Sequence, residues 1–273
     1  MTLRTLRYAG FLLNLWLLVG AAGVRADTAP VYTSLDHVEF WVTDLPRSLK
    51  FYTGLFGADV MKNRKTERRY LHLGSGYLAM EQQISARVDH VCFAVRDFNV
   101  AAMHTWLKHE ELSWQDYPSG RDLRVDDRDG TRVQVAAADG WLLLQQDTAS
   151  PEALAGKVTP LFHPLVLDEV FITVTNLEVD SLHYARLLGK TGVMSAGSLW
   201  FELGSARLRL SQAPVGQVPG LNYFSVLIAN TDLGAAAEAV FKAGGIIENI
   251  LPNGFSFWDP DGLRVEVHVA KLL

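Results

Sequence analysis

The feature that most constrains this chain is an internal repeat. An alternating strand with a marked residue near its start, running into Asp or Asn, occurs four times: LDHVEFWVTDL, VDHVCFAVRDF, LDEVFITVTNL and LNYFSVLIANTDL. The marked residues are His37, His90, Glu169 and Tyr223, which lie 53 residues apart in the first half, 54 in the second and 132 to 133 between halves. A pattern that recurs at a fixed offset is one structural unit reused, so the chain is a pair of modules that has been duplicated. Two more stretches keep the offset. DDRDGTRVQVAA (126–137) aligns with WDPDGLRVEVHVA (258–270), setting Gln134 opposite Glu266, and LHLGSGYLAMEQ (71–82) aligns with FELGSARLRLSQ (201–212), setting Glu81 opposite Ser211. Each D-x-D-G reads as a turn between strands. A calcium loop would need more oxygen ligands at defined spacing.

Helices follow from periodicity. After Asp44, the residues Leu45, Leu49, Tyr52, Leu55 and Phe56 recur at three- and four-residue steps, with Asp44 as cap and Pro46 in the first turn. Asn176 opens the equivalent helix and Gly189 closes it. Each module therefore reads as a strand, a helix and about three strands. DTASPEALAGKVTP (147–160) is rich in small residues and Pro and reads as a linker between two separable halves.

Residues 1–26 contain Arg4, Arg7 and Arg25, an apolar run FLLNLWLLVGAAGV, and Val24 and Ala26 at −3 and −1 of a cut after Ala26. That is the pattern of a secretory signal peptide, the alternative being an uncleaved anchor; the apolar run is short for a membrane span of ~20 residues. The full chain carries 25 Lys and Arg against 30 Asp and Glu, and loss of the three leader arginines moves the net charge from −5 to −8. With no basic block, the chain lacks the footprint of nucleic-acid binding. No membrane partner is expected after removal of the leader. A single cysteine, Cys92, excludes an internal disulfide.

Alternation in strands splits each repeat into two faces. Val38, Phe40 and Val42 can pack on a helix, whereas His37, Glu39 and Trp41 cannot form a plain core. If two modules join their sheets, the second faces line a shared cup holding His37, Glu39, Glu81, His90, Cys92 and Gln134. Two imidazoles and a carboxylate suit Zn, Ni, Mn or Fe(II); the competing possibility is that both histidines are simply satisfied, half-buried residues.

These residues, quoted as LDHVEFWVTDLPRSLKFYTGLFG, VDHVCFAV and WDPDGLRVEV, resemble the vicinal oxygen chelate (glyoxalase/bleomycin resistance/extradiol dioxygenase) superfamily over nearly all of 33–270. The resemblance implies an α+β fold of four βαβββ modules paired into two cup-shaped mixed-sheet units: a leader at 1–26, a first unit at 27–146 with the metal site, a linker at 147–165 and a degenerate second unit at 166–273. It implies a divalent metal on His37, Glu81, His90 and Gln134, the last standing where the family usually has Glu. An amide brings no charge and accepts no proton at neutral pH, so proton transfer falls to Glu81 or Glu39. The second half offers Glu169, Ser211, Tyr223 and Glu266, with Arg207, Arg209 and Arg264 on the same wall and His268 after Glu266. Expected is an exported, periplasmic or secreted protein performing lyase or isomerase chemistry on a small oxygenated molecule, with a homodimer left open. An extradiol-type dioxygenase and a non-catalytic binding module are the alternatives.

Overall fold

The structure, a computed structural model, describes residues 28–57, 59–154, 159–229 and 231–270. The leader expected at residues 1–26 lies outside the described residues.

Four βαβββ modules are present. The first is β1 (Tyr32–Val42), α1 (Leu45–Phe56), β2 (Val60–Asn63), β3 (Arg69–Leu73) and β4 (Gly76–Gln82); the second is β5 (Arg87–Val95), α2 (Val100–His109), β6 (Gln115–Asp116), β7 (Asp122–Asp126) and β8 (Arg132–Ala137). A short helix α3 (Gly140–Leu143), a π-turn (Leu144–Thr148) and β9 (Ala149–Pro151) follow. The third module is β10 (Pro164–Val174), α4 (Leu177–Leu188), β11 (Val193–Ser195), β12 (Ser198–Leu203) and β13 (Ala206–Gln212); the fourth is β14 (Gly220–Ile228), α5 (Leu233–Lys242), β15 (Ile246–Leu251), β16 (Gly254–Trp258) and β17 (Arg264–Val269). Among the described residues, no helix is long and apolar enough to cross a membrane.

The first two modules form one sheet, ordered β6-β7-β8-β5-β1-β4-β3-β2-β9, and the last two form another, β11-β12-β13-β10-β14-β17-β16-β15. The leading strands of paired modules meet antiparallel at the centre, β1 on β5 and β10 on β14, and each runs parallel to the last strand of its own module. The helices start where their caps place them. Asp44 accepts from the Arg47 amide at 3.0 Å and Asn176 from the Val179 amide at 3.1 Å, and Gly189 ends α4 in the left-handed conformation that glycine adopts without strain.

Two expectations about the halves change. Part of the predicted linker is structural, since β9 pairs with β2 and Ala149 is buried. The core is also continuous between the two sheets: Phe40 stacks on Phe224 at 5.8 Å and Phe51 meets Phe257 at 6.0 Å. The D-x-D-G turns join in this contact. One oxygen of Asp127 accepts from the Asp129 and Thr131 amides and the other from the Tyr184 hydroxyl of α4 at 3.0 Å; Asp259 repeats this with the Asp261 and Leu263 amides and with Tyr52 of α1 at 2.7 Å. The aspartates that close the turns thus also bridge the halves.

Candidate metal centre

The pairing of β1 with β5 assembles the site. Glu39 lies opposite His90 and His37 opposite Cys92, and near the site the register is interrupted at Asp36 in β1 and at Asp89 in β5, with a further shift at Thr33. Each interruption is a β-bulge, which defeats strict alternation and brings consecutive side chains toward one side. Asp36 and His37 are therefore neighbours rather than opposite-facing residues, and so are Asp89 and His90. His37 Nδ1 lies 2.7 Å from Asp36 Oδ2, and His90 Nδ1 lies 3.0 Å from Asp89 Oδ2. All four residues are buried.

The carboxylates decide the tautomers. A ring nitrogen beside a carboxylate carries the proton, so each Nδ1 donates and each Nε2 is left with its lone pair. These two Nε2 atoms face each other at 3.1 Å. Two buried lone pairs at that distance repel unless a positive charge, a proton or a cation, lies between them. Nitrogens bound at ~2.1 Å to one ion and roughly 90–110° apart are about 3.0–3.4 Å from each other, so the pair fits a divalent metal.

The remaining predicted residues divide. Gln134 faces the same space; its Nε2 donates to Asp122 Oδ2 at 2.6 Å, which leaves the amide oxygen as its available donor atom. Glu39 is buried, and its carboxylate, with those of Asp89 and the imidazole of His90, forms a group whose ligand atoms lie within 4.8 Å of one another. Glu81, also predicted as a ligand, is not brought into these groups. In the β1–β4 register His37 sits opposite Tyr77, Glu39 opposite Ala79 and Trp41 opposite Glu81, whereas in β5–β8 Gln134 sits opposite Cys92, two residues past His90. The counterpart of Gln134 in the first module is therefore Ala79, and Glu81 lies four residues, or about 13 Å, further along the strand than the level of His37. Glu81 instead pairs with Arg68, whose other terminal nitrogen reaches Glu39 Oε2 at 3.0 Å. It positions the arginine that faces the candidate base.

Burial pushes the Glu39 carboxyl up to about 7 against the opposing charge of Arg68. Burial, the largest effect, lowers His90 to about 4 despite its hydrogen bond to Asp89, so the ring is neutral and ligand-ready at neutral pH. Burial works to raise Asp89, but hydrogen bonds from His90 and Arg87 and the charge of Arg132 hold it down at about 2. Cys92 is fully buried beside His37 and Asp36, and burial pushes its thiol well above the usual range, as suits a small packed residue.

Aromatic and covering residues were not legible as part of the site. Tyr77 stacks on His37 at 4.7 Å, and Trp141 of α3 stacks on His72 at 4.4 Å and packs near Tyr77. The α3 and π-turn segment covers the cup, with Leu144 and Thr148 lining it. The sequence signal that could have revealed the imidazole partners is the dipeptide Asp-His, present at 36–37 and again at 89–90.

The second cup is built on the same register and filled by protein charge. Glu169, Tyr223 and Glu266 occupy the places of His37, His90 and Gln134, and Arg209 occupies that of Ala79. Tyr223 donates to Glu169 at 2.7 Å, Arg209 donates to Tyr223 at 3.2 Å, Arg207 pairs with Glu169 at 3.2 Å and Arg264 with Glu266 at 2.8 Å. Guanidinium groups here provide the positive charge that an ion would otherwise bring. Ser211 lies further along, bonded to Ser198 at 2.6 Å.

Residues 34–109 match the Glyoxalase/Bleomycin resistance protein/Dioxygenase superfamily. Over that stretch the chain is similar to the vicinal oxygen chelate proteins. Its sequence is 26% identical over 116 residues to the metallothiol transferase FosB of Staphylococcus haemolyticus, a match spanning 40% of this chain and 79% of that one. FosB of Staphylococcus epidermidis matches at 26% with the same coverage. A likeness of fold extends over both halves. The 2,3-dioxygenase LapB from Pseudomonas sp. KL28 superposes with a TM-score of 0.69 at 14% identity, covering 90% of this chain and 94% of that one. The Mn(II)-bound glyoxalase from Novosphingobium aromaticivorans superposes with a TM-score of 0.64 at 12% identity, covering 88% and 83%.

Proposed function

We propose that this chain is an exported, metal-dependent enzyme that moves a proton on a small oxygenated substrate. The observation that carries this reading is the pair of carboxylate-oriented imidazoles whose Nε2 atoms face each other at 3.1 Å beside a buried glutamate. His37 and His90 would hold a divalent ion, with the amide oxygen of Gln134 as a weaker neighbour. When bound, the ion supplies Lewis acidity to neighbouring substrate oxygens. Asp36 and Asp89 fix the rings, and α3 with its π-turn limits water at the cup. Glu39, with its carboxyl near 7, is the group able both to take and to return a proton at neutral pH. Arg68 orients it. That the curated relatives are metallothiol transferases supports dependence on a metal.

Metal analysis of protein from its native compartment, together with solvent-deuterium exchange into bound 2-oxo or 2-hydroxy compounds, tests this. Stoichiometric zinc, nickel or manganese and exchange lost in Glu39→Gln is the expected result. A second reading has a specific observation behind it: Glu39 and His90 belong to one group of ligand atoms within 4.8 Å of one another, and a carboxylate beside an imidazole is part of the two-histidine, one-carboxylate set used for oxygen chemistry by Fe(II). Iron as the native metal would favour it, and protein without metal would favour a binding module. Export rests on the charge and apolar pattern of residues 1–26, and a mature protein that retains Met1 would refute it.

A further inference from the structure

Two cavities meet at His37, and they differ in character. One, of about 290 Å³, is lined on its own side by Glu39, Arg68, Tyr70, Tyr117 and Arg132; the other, of about 320 Å³, by Ala136, Ala137, Gly140 and Leu143, with Asp36, Ser119 and Arg121 also at its wall. His37, Tyr77, Asp122, Gln134, Leu144 and Thr148 border both.

The first cavity has donors without acceptors. Arg132 binds Asp89 through Nη1 at 2.7 Å, but its Nε is buried with no partner. Tyr70 accepts from Asn63 at 2.8 Å, which leaves its own proton unspent, and the Tyr117 hydroxyl has no hydrogen bond among the described residues. The three carboxylates at this space are engaged, Glu39 with Arg68, Asp122 with Gln134 and Ser119, and Asp89 with His90, Arg87 and Arg132. Donors that converge with no acceptor call for a group that only accepts. The second cavity offers mostly apolar wall, and in the second half the same place is filled. His268 stands where Ala136 stands here, and it closes that space by bonding to Asp168 and Glu266. The small alanine at 136 is what keeps the chamber open.

We propose that the substrate is a small organic acid, its oxyanion held by Arg132, Tyr117 and Tyr70 and its apolar body lying between Ala136 and Leu144 on the other side of His37. This rests on the functional reading above for the position of the metal, but the two chambers are defined without it.

Calorimetric binding of octanoate, octyl phosphate, octanol and acetate to the full protein, before and after chelation of divalent ions, tests it. Octanoate or octyl phosphate should bind at least tenfold more tightly than both octanol and acetate, and whichever is tighter identifies the oxyanion as carboxylate or phosphate. Tyr117→Phe should weaken the acid about fivefold and leave octanol unchanged. Ala136→Leu should abolish the advantage of octanoate over acetate while acetate still binds, which shows that the cup is intact. If these preferences persist in metal-free protein that never takes up an ion, the proposal stands and the metal reading fails. If metal is stoichiometric but the acid binds no better than the alcohol, or Ala136→Leu leaves the chain-length preference unchanged, the proposal is overturned.

Discussion

At the scale of residues, the site depends on which atoms have an alternative partner. The two Nε2 atoms have only each other at 3.1 Å, so His37→Ala or His90→Ala should abolish stoichiometric metal as measured by elemental analysis. Asp36 and Asp89 act through the rings they hold, and removal of such a partner weakens metal affinity by roughly 10–100-fold; a chelator competition with Asp89→Asn checks this. Gln134→Ala should weaken the site only modestly, because a neutral amide is the poorest donor of the group. Glu81→Ala separates the structure from the sequence-based ligand assignment. It should leave metal content unchanged and lower turnover, since it frees Arg68 from one side while His37 and His90 stay in place. Loss of the metal in Glu81→Ala would restore that assignment.

At the scale of elements, α3 and β17 each make a contact that can be tested. A Cβ at Gly140 would overlap the Asp36 carboxylate, the group that orients His37. Gly140→Ala should therefore shift the cover segment or Asp36, at a cost of about 1–3 kcal/mol in denaturant unfolding and with weaker metal binding. On β17, burial disfavours charge on His268, but its hydrogen bonds to Asp168 and Glu266 and the charges of Asp168 and Glu169 raise it to about 9. A folded value above the unfolded one of about 6.5 means that the contribution is complete below pH ~6.5 and is lost as pH rises to about 9. The melting temperature should fall across that window, and His268→Gln should flatten the slope. An unchanged slope would show that the ring is not charged in the fold.

At the scale of the whole molecule, the halves share a core and exchange hydrogen bonds through Tyr52–Asp259 and Tyr184–Asp127. Unfolding should be one cooperative transition by circular dichroism and fluorescence together, and Tyr52→Phe should destabilise the whole protein by about 1–3 kcal/mol rather than one half. We propose that the covalent boundary falls in the later part of 147–165, because Ala149–Pro151 already belongs to the first sheet and Pro164 begins the second. Limited proteolysis there should leave two fragments that co-elute on gel filtration. Separation of the fragments without denaturant would show the shared core to be dispensable.

The sequence by itself determined the four modules, their pairing and the two histidines. Repetition, caps and alternation are local properties, and a strand that puts Val38, Phe40 and Val42 on one face leaves few other arrangements for His37 and Glu39. Tertiary structure decided what alternation cannot express. The bulges at Asp36 and Asp89 turned each aspartate toward the histidine that follows it, and the parallel register of β1 with β4 set Ala79, not Glu81, level with the site. The turn before β4 and the turn before β8 differ in length, so counting from the turns misplaces the residue level with the histidine pair. Trp141 and Leu144 reach the cup from a segment whose sequence carries no period of its own, and only the folded chain brings them there. Register and closure are set by partners distant in the chain, and a pattern read along one strand contains no information about its neighbour.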